Sequence, residues 1–392
     1  MHLFLTGRPS CGKTTLIKSL LNYIPNSKGF FTEEIRQGSE RTGFKVSTLE
    51  GKEAVFAHKD FKSPYKVSKY GVDIEVFDSV AVVQLQEALE SKCEFVIIDE
   101  LGKMELFSER FKEVVPKLLD KKKVLGTISV IEDPFLEKIR KRKDACILDM
   151  NKEGLEEVKE KAHLALKSLA VKEIRRLEEN ARKMGLSERT LIENASSNLF
   201  KAVDNLKLGK EILVVAGRGN NGADVLSCAR KLLSSGYKVK VAIASEKELG
   251  PEALFQKETL EKSGIRIHNI YQQGLGQLSS LVNNCKWILE GILGIGIKGE
   301  VSPFLCEVID IINKSAKTAV ACDIPSGLYP DEGKPLGKAI KADYTVTFIA
   351  PKEGFFLGEG PNYCGKIFVA DIGVSRESLE NFNDDVSREI LP

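Results

Sequence analysis

The sequence predicts an α/β protein with two domains. Its 392 residues are enough for two or three domains. Residues 3–21 and 211–233 each contain a short apolar strand, a glycine-rich loop and a helix. Acidic residues also follow apolar strands in both halves, and ligands of parallel sheets bind at that carboxyl edge. We therefore expect domains at 1–168 and 169–392, joined near Ser168 within the charge-rich amphipathic helices of residues 152–189.

The composition excludes several protein classes. The net charge is +2 with 29% charged residues, which gives no clear nucleic-acid surface. No apolar run approaches the roughly 20 residues that span a bilayer, and the N-terminus has no signal-peptide pattern. The eight cysteines are scattered without a C-x-x-C pair, which argues against disulfides and a zinc site. These features predict a cytoplasmic protein.

A phosphate-binding loop follows the first apolar strand. Residues 7–14 fit G-x-x-x-x-G-K-[ST], and a helical pattern follows at once. Backbone N–H groups of such a loop point at phosphate oxygens, the lysine contacts the outer phosphates, and the threonine hydroxyl binds Mg²⁺. The predicted nucleotide-binding residues here are Gly7, Arg8, Pro9, Ser10, Cys11, Gly12, Lys13 and Thr14.

Two adjacent acids follow the buried strand of residues 95–98. We expect Asp99 to hold Mg²⁺ together with Thr14, and Glu100 to orient or deprotonate a water that attacks the γ-phosphate. Lys13 and Glu100 are thus the predicted catalytic residues. An exposed acidic turn is the structural alternative. A nucleotide or small-molecule kinase is the functional alternative, but the sequence has no clear basic lid segment.

The first half resembles the P-loop nucleoside-triphosphatase family, also called cancer-related nucleoside-triphosphatase. The similar stretches are residues 7–14, 29–34, 99–106 and 133–140. The resemblance implies a RecA-like sheet, slow hydrolysis of several nucleoside triphosphates with little base selectivity, and nucleotide contacts from Asp99, Glu100, Leu101, Gly102 and Lys103. Residues 129–132 depart from the more basic loop of the family.

The second half contains another strand, glycine loop and helix. Gly217, Gly219 and Gly222 match G-x-G-x-x-G, between a strand at 211–216 and a helix that we expect over 225–233. The match alone is weak evidence for dinucleotide binding. Two asparagines fill the loop and Asp224 enters the first helical turn, where its carboxylate would repel a pyrophosphate. Ordinary hydride transfer is therefore disfavoured.

Three strands of this half bring polar side chains to one sheet edge. Asn221, Glu290, and Asp323 with Ser326 each follow a predicted strand. Amide, carboxylate and hydroxyl oxygens bind hard cations. Separate helix caps and turns are the structural alternative. A carboxylate whose pKa is tuned by burial and a nearby cation can transfer protons, and Asp323 is our first catalytic candidate, ahead of Glu290.

The second half resembles the YjeF N-terminal domain family over residues 172–380, through residues 191–195, 220–224, 294–296, 323–327, 350–352 and 369–373. The resemblance implies a Rossmann-like three-layer α/β/α domain that interconverts the C6 epimers of hydrated NADH and NADPH (NADHX and NADPHX). It implies K⁺ ligands at Asn221, Glu290 and Ser326. The implied hydrate contacts are Asn220, Asn221, Gly222, Ala223, Asp224, Gly294, Ile295, Gly296, Ile297, Lys298, Gly299, Glu300 and Asp323.

Two departures from that family stand in the candidate site. The family usually has Asp where this chain has Glu290, and Gly where it has Ala223. The alternative for this half is a nucleotide-binding module without chemistry. The expected partners are nucleoside triphosphates, the hydrated dinucleotides and a separately encoded hydrate dehydratase, because the dehydratase domain that often follows is not in the sequence. Self-association into a homo-oligomer is left open.

Overall fold

The computed structural model describes residues 1–374. The second domain was expected to reach residue 392 and the YjeF resemblance to reach residue 380, so the C-terminal end of each lies outside the described residues. The chain forms two compact units, Met1–Leu166 and the part from Lys167 onward. No helix among residues 1–374 is long and apolar enough to cross a membrane.

The first unit contains one mixed sheet. Within the described residues its order is β5-β6-β4-β3-β2-β7-β8-β1-β9. The bounds are β1 His2–Thr6, β2 Lys28–Gln37, β3 Glu40–Thr48, β4 Glu53–His58, β5 Lys66–Val67, β6 Tyr70–Val72, β7 Phe95–Leu101, β8 Lys123–Ile128 and β9 Ala145–Asp149. Strands β2, β7, β8, β1 and β9 are parallel, whereas β3 to β6 extend the sheet in antiparallel fashion.

Helices of the first unit cover the parallel part of the sheet. Their bounds are α1 Lys13–Leu20, α2 Ile74–Phe77, α3 Val83–Glu90, α4 Glu109–Lys121, α5 Pro134–Arg140, α6 Met150–Glu153 and α7 Leu155–Leu166. Helix α4 buries one stripe, including Phe111, Val115 and Leu118, against the sheet. The predicted α/β class is confirmed. In the hairpin of β2 and β3, Arg36 pairs with Arg41 and Gln37 with Glu40.

The second unit contains a parallel sheet. Among residues 1–374 its order is β12-β11-β10-β13-β14-β15-β16. The bounds are β10 Glu211–Ala216, β11 Lys238–Ile243, β12 Ile267–Asn269, β13 Trp287–Gly291, β14 Thr318–Cys322, β15 Tyr344–Phe348 and β16 Lys366–Ala370. The helices are α8 Val171–Lys183, α9 Glu188–Asn205, α10 Asn220–Ser234, α11 Pro251–Lys262, α12 Ile270–Gln273, α13 Leu275–Asn283, α14 Pro303–Lys314 and α15 Pro361–Cys364.

Helices pack on both faces of this sheet, which confirms the three layers. In β10, Ile212 and Val214 belong to one hydrophobic cluster, whereas Leu213 and Val215 belong to the cluster on the other face. A strand buried on both faces must be apolar throughout. The expectation that the helix after β10 begins at Val225 is wrong, since α10 begins at Asn220. The asparagines and Asp224 therefore lie on the first two helical turns, at the carboxyl edge of the sheet.

Candidate active sites

The phosphate loop connects β1 to α1 and is held by its own lysine. The Lys13 ammonium donates to the carbonyl oxygens of Gly7 and Arg8, each 3.0 Å away, and its side chain is buried. Gly12, which caps α1, has a φ of 93°, a left-handed conformation that favours glycine. The loop thus presents the N-terminal end of α1 and a buried positive charge to the same cavity.

Asp99 lies at the end of β7 and is almost fully buried. The Thr127 hydroxyl donates to its Oδ1 at 2.6 Å, while its Oδ2 is buried without a hydrogen-bond partner. Burial raises the pKa of Asp99, and the hydroxyl bonds oppose that shift. A buried, unsatisfied carboxylate oxygen is costly without a cation. This oxygen and the Thr14 hydroxyl therefore fit the predicted Mg²⁺ site.

Two further acids face the same region. Burial raises the pKa of Glu100; the Lys13 charge opposes the shift and the Asp99 charge adds to it. Burial and the Glu100 charge raise the pKa of Glu105 to about 8. A Cβ at Gly102 would lie 2.7 Å from Glu100 Oε1 and 2.7 Å from Glu105 Oε2. A side chain at position 102 would displace these carboxyl groups, and the sequence did not single out Glu105.

These groups open onto a cavity of about 590 Å³. Seven of the predicted nucleotide-binding residues line it: Pro9, Ser10, Gly12, Lys13, Thr14, Glu100 and Lys103. Leu101 instead packs in the hydrophobic core. The opposite wall comes from the hairpin of β2 and β3, with Glu34 bound to Arg41 at 2.6 Å and Phe44 beside them. The sequence analysis assigned no cavity contacts to this hairpin.

The second cavity, about 530 Å³, lies at the carboxyl edge of the second sheet. Two glycines allow neighbouring backbone segments to approach each other closely there. A Cβ on Gly217 would lie 1.8 Å from the Ile292 carbonyl oxygen, and one on Gly222 would lie 2.1 Å from the Gly217 carbonyl oxygen. The spacing that resembles a dinucleotide fingerprint therefore serves the packing of α10 against two strands.

The three predicted K⁺ ligands meet below this cavity. Glu290 is fully buried and accepts hydrogen bonds from Ser326 N at 2.9 Å, Ser326 Oγ at 2.5 Å and Ile292 N at 3.2 Å. Burial raises its pKa to about 7 despite these bonds. Asn221 donates through Nδ2 to the Leu293 carbonyl oxygen, while its buried Oδ1 has no partner.

This oxygen cluster fits a cation. The Asn221 Oδ1 lacks a donor, and no lysine or arginine of residues 1–374 forms an ion pair with Glu290. A cation would give the Asn221 Oδ1 a partner and would neutralise the Glu290 carboxylate. The Glu290 side chain is held in place by its bonds to Ser326 N and Oγ.

Asp323 is held by a lysine that the sequence analysis did not assign to the site. Its Oδ1 accepts hydrogen bonds from the buried Lys352 ammonium, from Thr347 Oγ1 at 3.2 Å and from Phe348 N at 3.1 Å. Strands β14 and β15 are parallel neighbours, which brings Lys352, just beyond β15, beside the end of β14. The Asp323 side chain retains access to the cavity.

The predicted hydrate contacts divide into three groups. Asn220, Asn221, Asp224, Gly294, Ile295, Gly296 and Ile297 line the cavity, as does Asp323. Gly222 and Ala223 are buried behind it, and Ala223 packs in the hydrophobic core. Lys298, Gly299 and Glu300 are exposed and do not line it. Burial and the charges of Asp323, Glu178 and Glu188 raise the pKa of Asp224 well above its usual range.

Known proteins match each unit separately. A family model described as NTPase matches residues 2–163, and one described as YjeF-related protein N-terminus matches residues 188–354. The nucleoside-triphosphatase THEP1 of Thermotoga maritima is 46% identical over 155 residues, covering 39% of this chain and 88% of that protein. The NAD(P)H-hydrate epimerase of Elusimicrobium minutum is 33% identical over 221 residues, covering 55% of this chain and 99% of that protein.

A third relative is longer than the matched part. The bifunctional NAD(P)H-hydrate repair enzyme Nnr of Coxiella burnetii is 36% identical over 206 residues, covering 52% of this chain but 41% of the relative. This chain therefore spans about two fifths of that protein. Both predicted resemblances are confirmed: the chain belongs to the THEP1 nucleoside-triphosphatase family through its first unit and to the YjeF-related NAD(P)H-hydrate epimerase family through its second.

Proposed function

We propose that the chain is bifunctional. Residues 1–168 hydrolyse nucleoside triphosphates, namely ATP, GTP, CTP, UTP and TTP, to diphosphate and phosphate with Mg²⁺. Residues 169–392 interconvert the R and S epimers of hydrated NADH and NADPH with K⁺. Relatives named for these two activities match the two units. The observation that carries the first activity is that Lys13 and the half-buried Glu100 line one cavity, with the buried Asp99 next to Glu100 in the chain.

In the first unit, the phosphate loop binds the triphosphate through backbone N–H groups, and Lys13 exchanges its two carbonyl partners for outer phosphate oxygens. Thr14 and Asp99 hold Mg²⁺, which neutralises phosphate charge when bound. Glu100 takes the proton of the attacking water. Its raised pKa makes its carboxylate a stronger base than an exposed glutamate.

In the second unit, Asn221, Glu290 and Ser326 hold K⁺, which supplies the positive charge that the buried Glu290 lacks. Asp323 acts as a base at the hydrate, and its bond to Lys352 fixes its orientation. The loop at 294–297 and the start of α10 form the walls around the nicotinamide end.

The kinase alternative is not favoured, because the relatives that match the first unit are named nucleoside-triphosphatases. The cytoplasm is the proposed compartment, and the eight cysteines are all unpaired. A hydrate dehydratase that consumes one of the epimers is the proposed partner.

A paired assay tests the proposal. Purified protein is given each nucleoside triphosphate with Mg²⁺, and released phosphate is measured. In parallel it is given one NADPHX epimer with KCl, and the approach to equilibrium is followed by chromatography. We expect both activities. Transfer of labelled γ-phosphate to a nucleotide or sugar rather than to water would support a kinase, and unaltered equilibration of the epimers would reduce the second unit to a binding module.

A further inference from the structure

Helix α8 forms a wall of the hydrate cavity, although it precedes the residues that match the epimerase family model. Ile174, Arg175, Glu178 and Arg182 of α8 all line the cavity. Their spacing of one, three and four residues places them on one helical face. The Arg175 guanidinium also donates to the Ile295 carbonyl oxygen at 3.2 Å, so α8 is tied to the loop that lies across the cavity. The helix therefore takes part in the site.

Glu178 is the acid that this face presents. Its side chain is 28% exposed, and its carboxylate is 3.6 Å from Arg182. The neighbouring Glu179 points away, with a side chain 61% exposed and paired to Lys183. Glu178 is thus an acid at the cavity surface, on a different element from Asp323.

We propose that Glu178 is a second catalytic residue of the epimerase and works as the acid while Asp323 works as the base. This inference rests on the proposed epimerase function. Asp323 suits the basic role because its carboxylate is held in place by the Lys352 ammonium and still reaches the cavity. Burial and the Asp323 charge raise the pKa of Glu178, opposed by Arg182, Lys352 and Arg175, so Glu178 holds its proton more readily than an exposed glutamate.

The assigned step exchanges the C6 hydroxyl with solvent. Glu178 gives its proton to the hydroxyl oxygen. The C6–O bond then breaks, water leaves with the bonding electron pair, and the lone pair of the ring nitrogen forms a C6=N bond. A solvent water then adds to the opposite face of C6, the C6=N pair returns to nitrogen, and Asp323 accepts the proton released by that water. Proton exchange through solvent returns Glu178 to the acid form, and no oxidant or reductant is consumed.

Matched variants test this assignment. We expect Glu178→Gln to lower the epimerisation rate by about 10²-fold or more, the usual contribution of acid–base catalysis. Calorimetric binding of the NADPHX epimer mixture should change less than about threefold. Glu178→Asp, which keeps an acid, should recover part of the rate, and Glu179→Gln should behave as wild type. In H₂¹⁸O, each molecule epimerised at early times should carry one solvent oxygen.

Three results would overturn the assignment. A Glu178→Gln rate within threefold of wild type would remove the catalytic role, and a loss of binding equal to the loss of rate would make Glu178 a binding residue. Retention of the original oxygen in the epimerised product would exclude the water-exchange step. A wild-type protein without epimerase activity would overturn the proposed function and this inference with it. That result differs from the other three, because in each of those the wild-type protein is active.

Discussion

At the scale of single residues, the ammonium of Lys13 is satisfied by two backbone carbonyl groups, which a bound nucleotide would replace. Removing it leaves the outer phosphates without a buried positive charge. We expect Lys13→Ala to lower phosphate release by about 10²- to 10³-fold, as for the loss of one transition-state donor. Phosphate release with saturating nucleotide measures this. Lys152→Ala is the control, because that side chain is 81% exposed, and an active Lys13→Ala variant would refute the assignment.

The role proposed for Glu100 differs from that of Lys13, since Glu100 is proposed to act on water and not on phosphate. Glu100→Gln keeps the shape of the side chain but removes its basicity. We expect hydrolysis to fall by about 10²-fold or more while nucleotide binding persists. Equilibrium binding of a labelled nucleotide and single-turnover hydrolysis separate the two effects. Glu109→Gln, at a side chain 79% exposed, should change neither, and a normal hydrolysis rate in Glu100→Gln would make Glu100 structural.

The buried carboxylate of Glu290 leads to a prediction about K⁺. Without a cationic partner its ionised form is costly in the folded state. We expect KCl, compared with choline chloride, to raise the melting temperature of the second unit, by about 2–4 °C for each kcal/mol contributed. The fluorescence of Trp287, the single tryptophan, reports this unit. Glu290→Gln should lose the difference and Glu211→Gln should keep it; equal melting in both salts would argue against the site.

Site residues that belong to a local sequence motif could be predicted from the sequence. Site residues that reach the site only because two strands are adjacent in the sheet could not. Lys13 and Asp99 belong to a motif and to a strand end, so their positions follow from the local sequence. Lys352 reaches Asp323 only because β14 and β15 are adjacent, which no local pattern indicates. Glu105 lies in a short helical turn after β7 and gains its importance from the packing around Gly102.

At the scale of elements, the start of α10 shows how tertiary packing changes a local expectation. Glycines and asparagines in sequence favour a loop up to Asp224. The helix nevertheless begins at Asn220, because Gly222 allows its backbone to approach Gly217 and the sheet. The strand order could not be predicted either, since parallel neighbours such as β10 and β13 are distant in sequence. The apolar strands themselves were predicted well, because both faces of each are buried.

Glu193 on α9 connects three helices and gives a prediction about stability. Its carboxylate binds Lys231 and Arg230 at 2.6 Å and Ser227 at 3.0 Å on α10, and Gln256 at 3.2 Å on α11. Burial raises its pKa, but the bonds from Lys231, Arg230 and Ser227 outweigh burial and lower the pKa to about 2. The folded state therefore binds fewer protons than the unfolded state, and the stabilisation is present above about pH 4.5.

We expect Glu193→Gln to lower the melting temperature of the second unit at pH 7, with a deficit that shrinks as the pH falls from 4.5 toward 2. The side chain is 36% exposed, so solvent screening reduces the effect. Trp287 fluorescence during thermal unfolding at several pH values measures it. Glu261→Gln, on the exposed side of α11, serves as control. A deficit that stays constant with pH would show that charge is not the cause.

At the scale of the whole molecule, each cavity is built by one unit. The lining residues of the first lie between Pro9 and Ser129, and those of the second between Ile174 and Ile372. The units also have separate hydrophobic clusters. The two-part organisation could be predicted because each half carries its own strand, glycine loop and helix. Whether one reaction influences the other is a property that motifs do not encode.

We expect the two activities to be independent. Lys13→Ala should lower phosphate release as predicted above and leave epimerisation within about twofold of wild type, because no group of the second cavity comes from residues 1–166. Asp323→Asn should abolish epimerisation and leave phosphate release unchanged, because the residues that line the first cavity all lie between Pro9 and Ser129. Both rates are measured on the same preparations, with and without the other substrate at saturation. If a nucleoside triphosphate altered the epimerisation rate of wild type but not of Lys13→Ala, occupancy of the phosphate loop would be coupled to the hydrate site, and independence would be wrong.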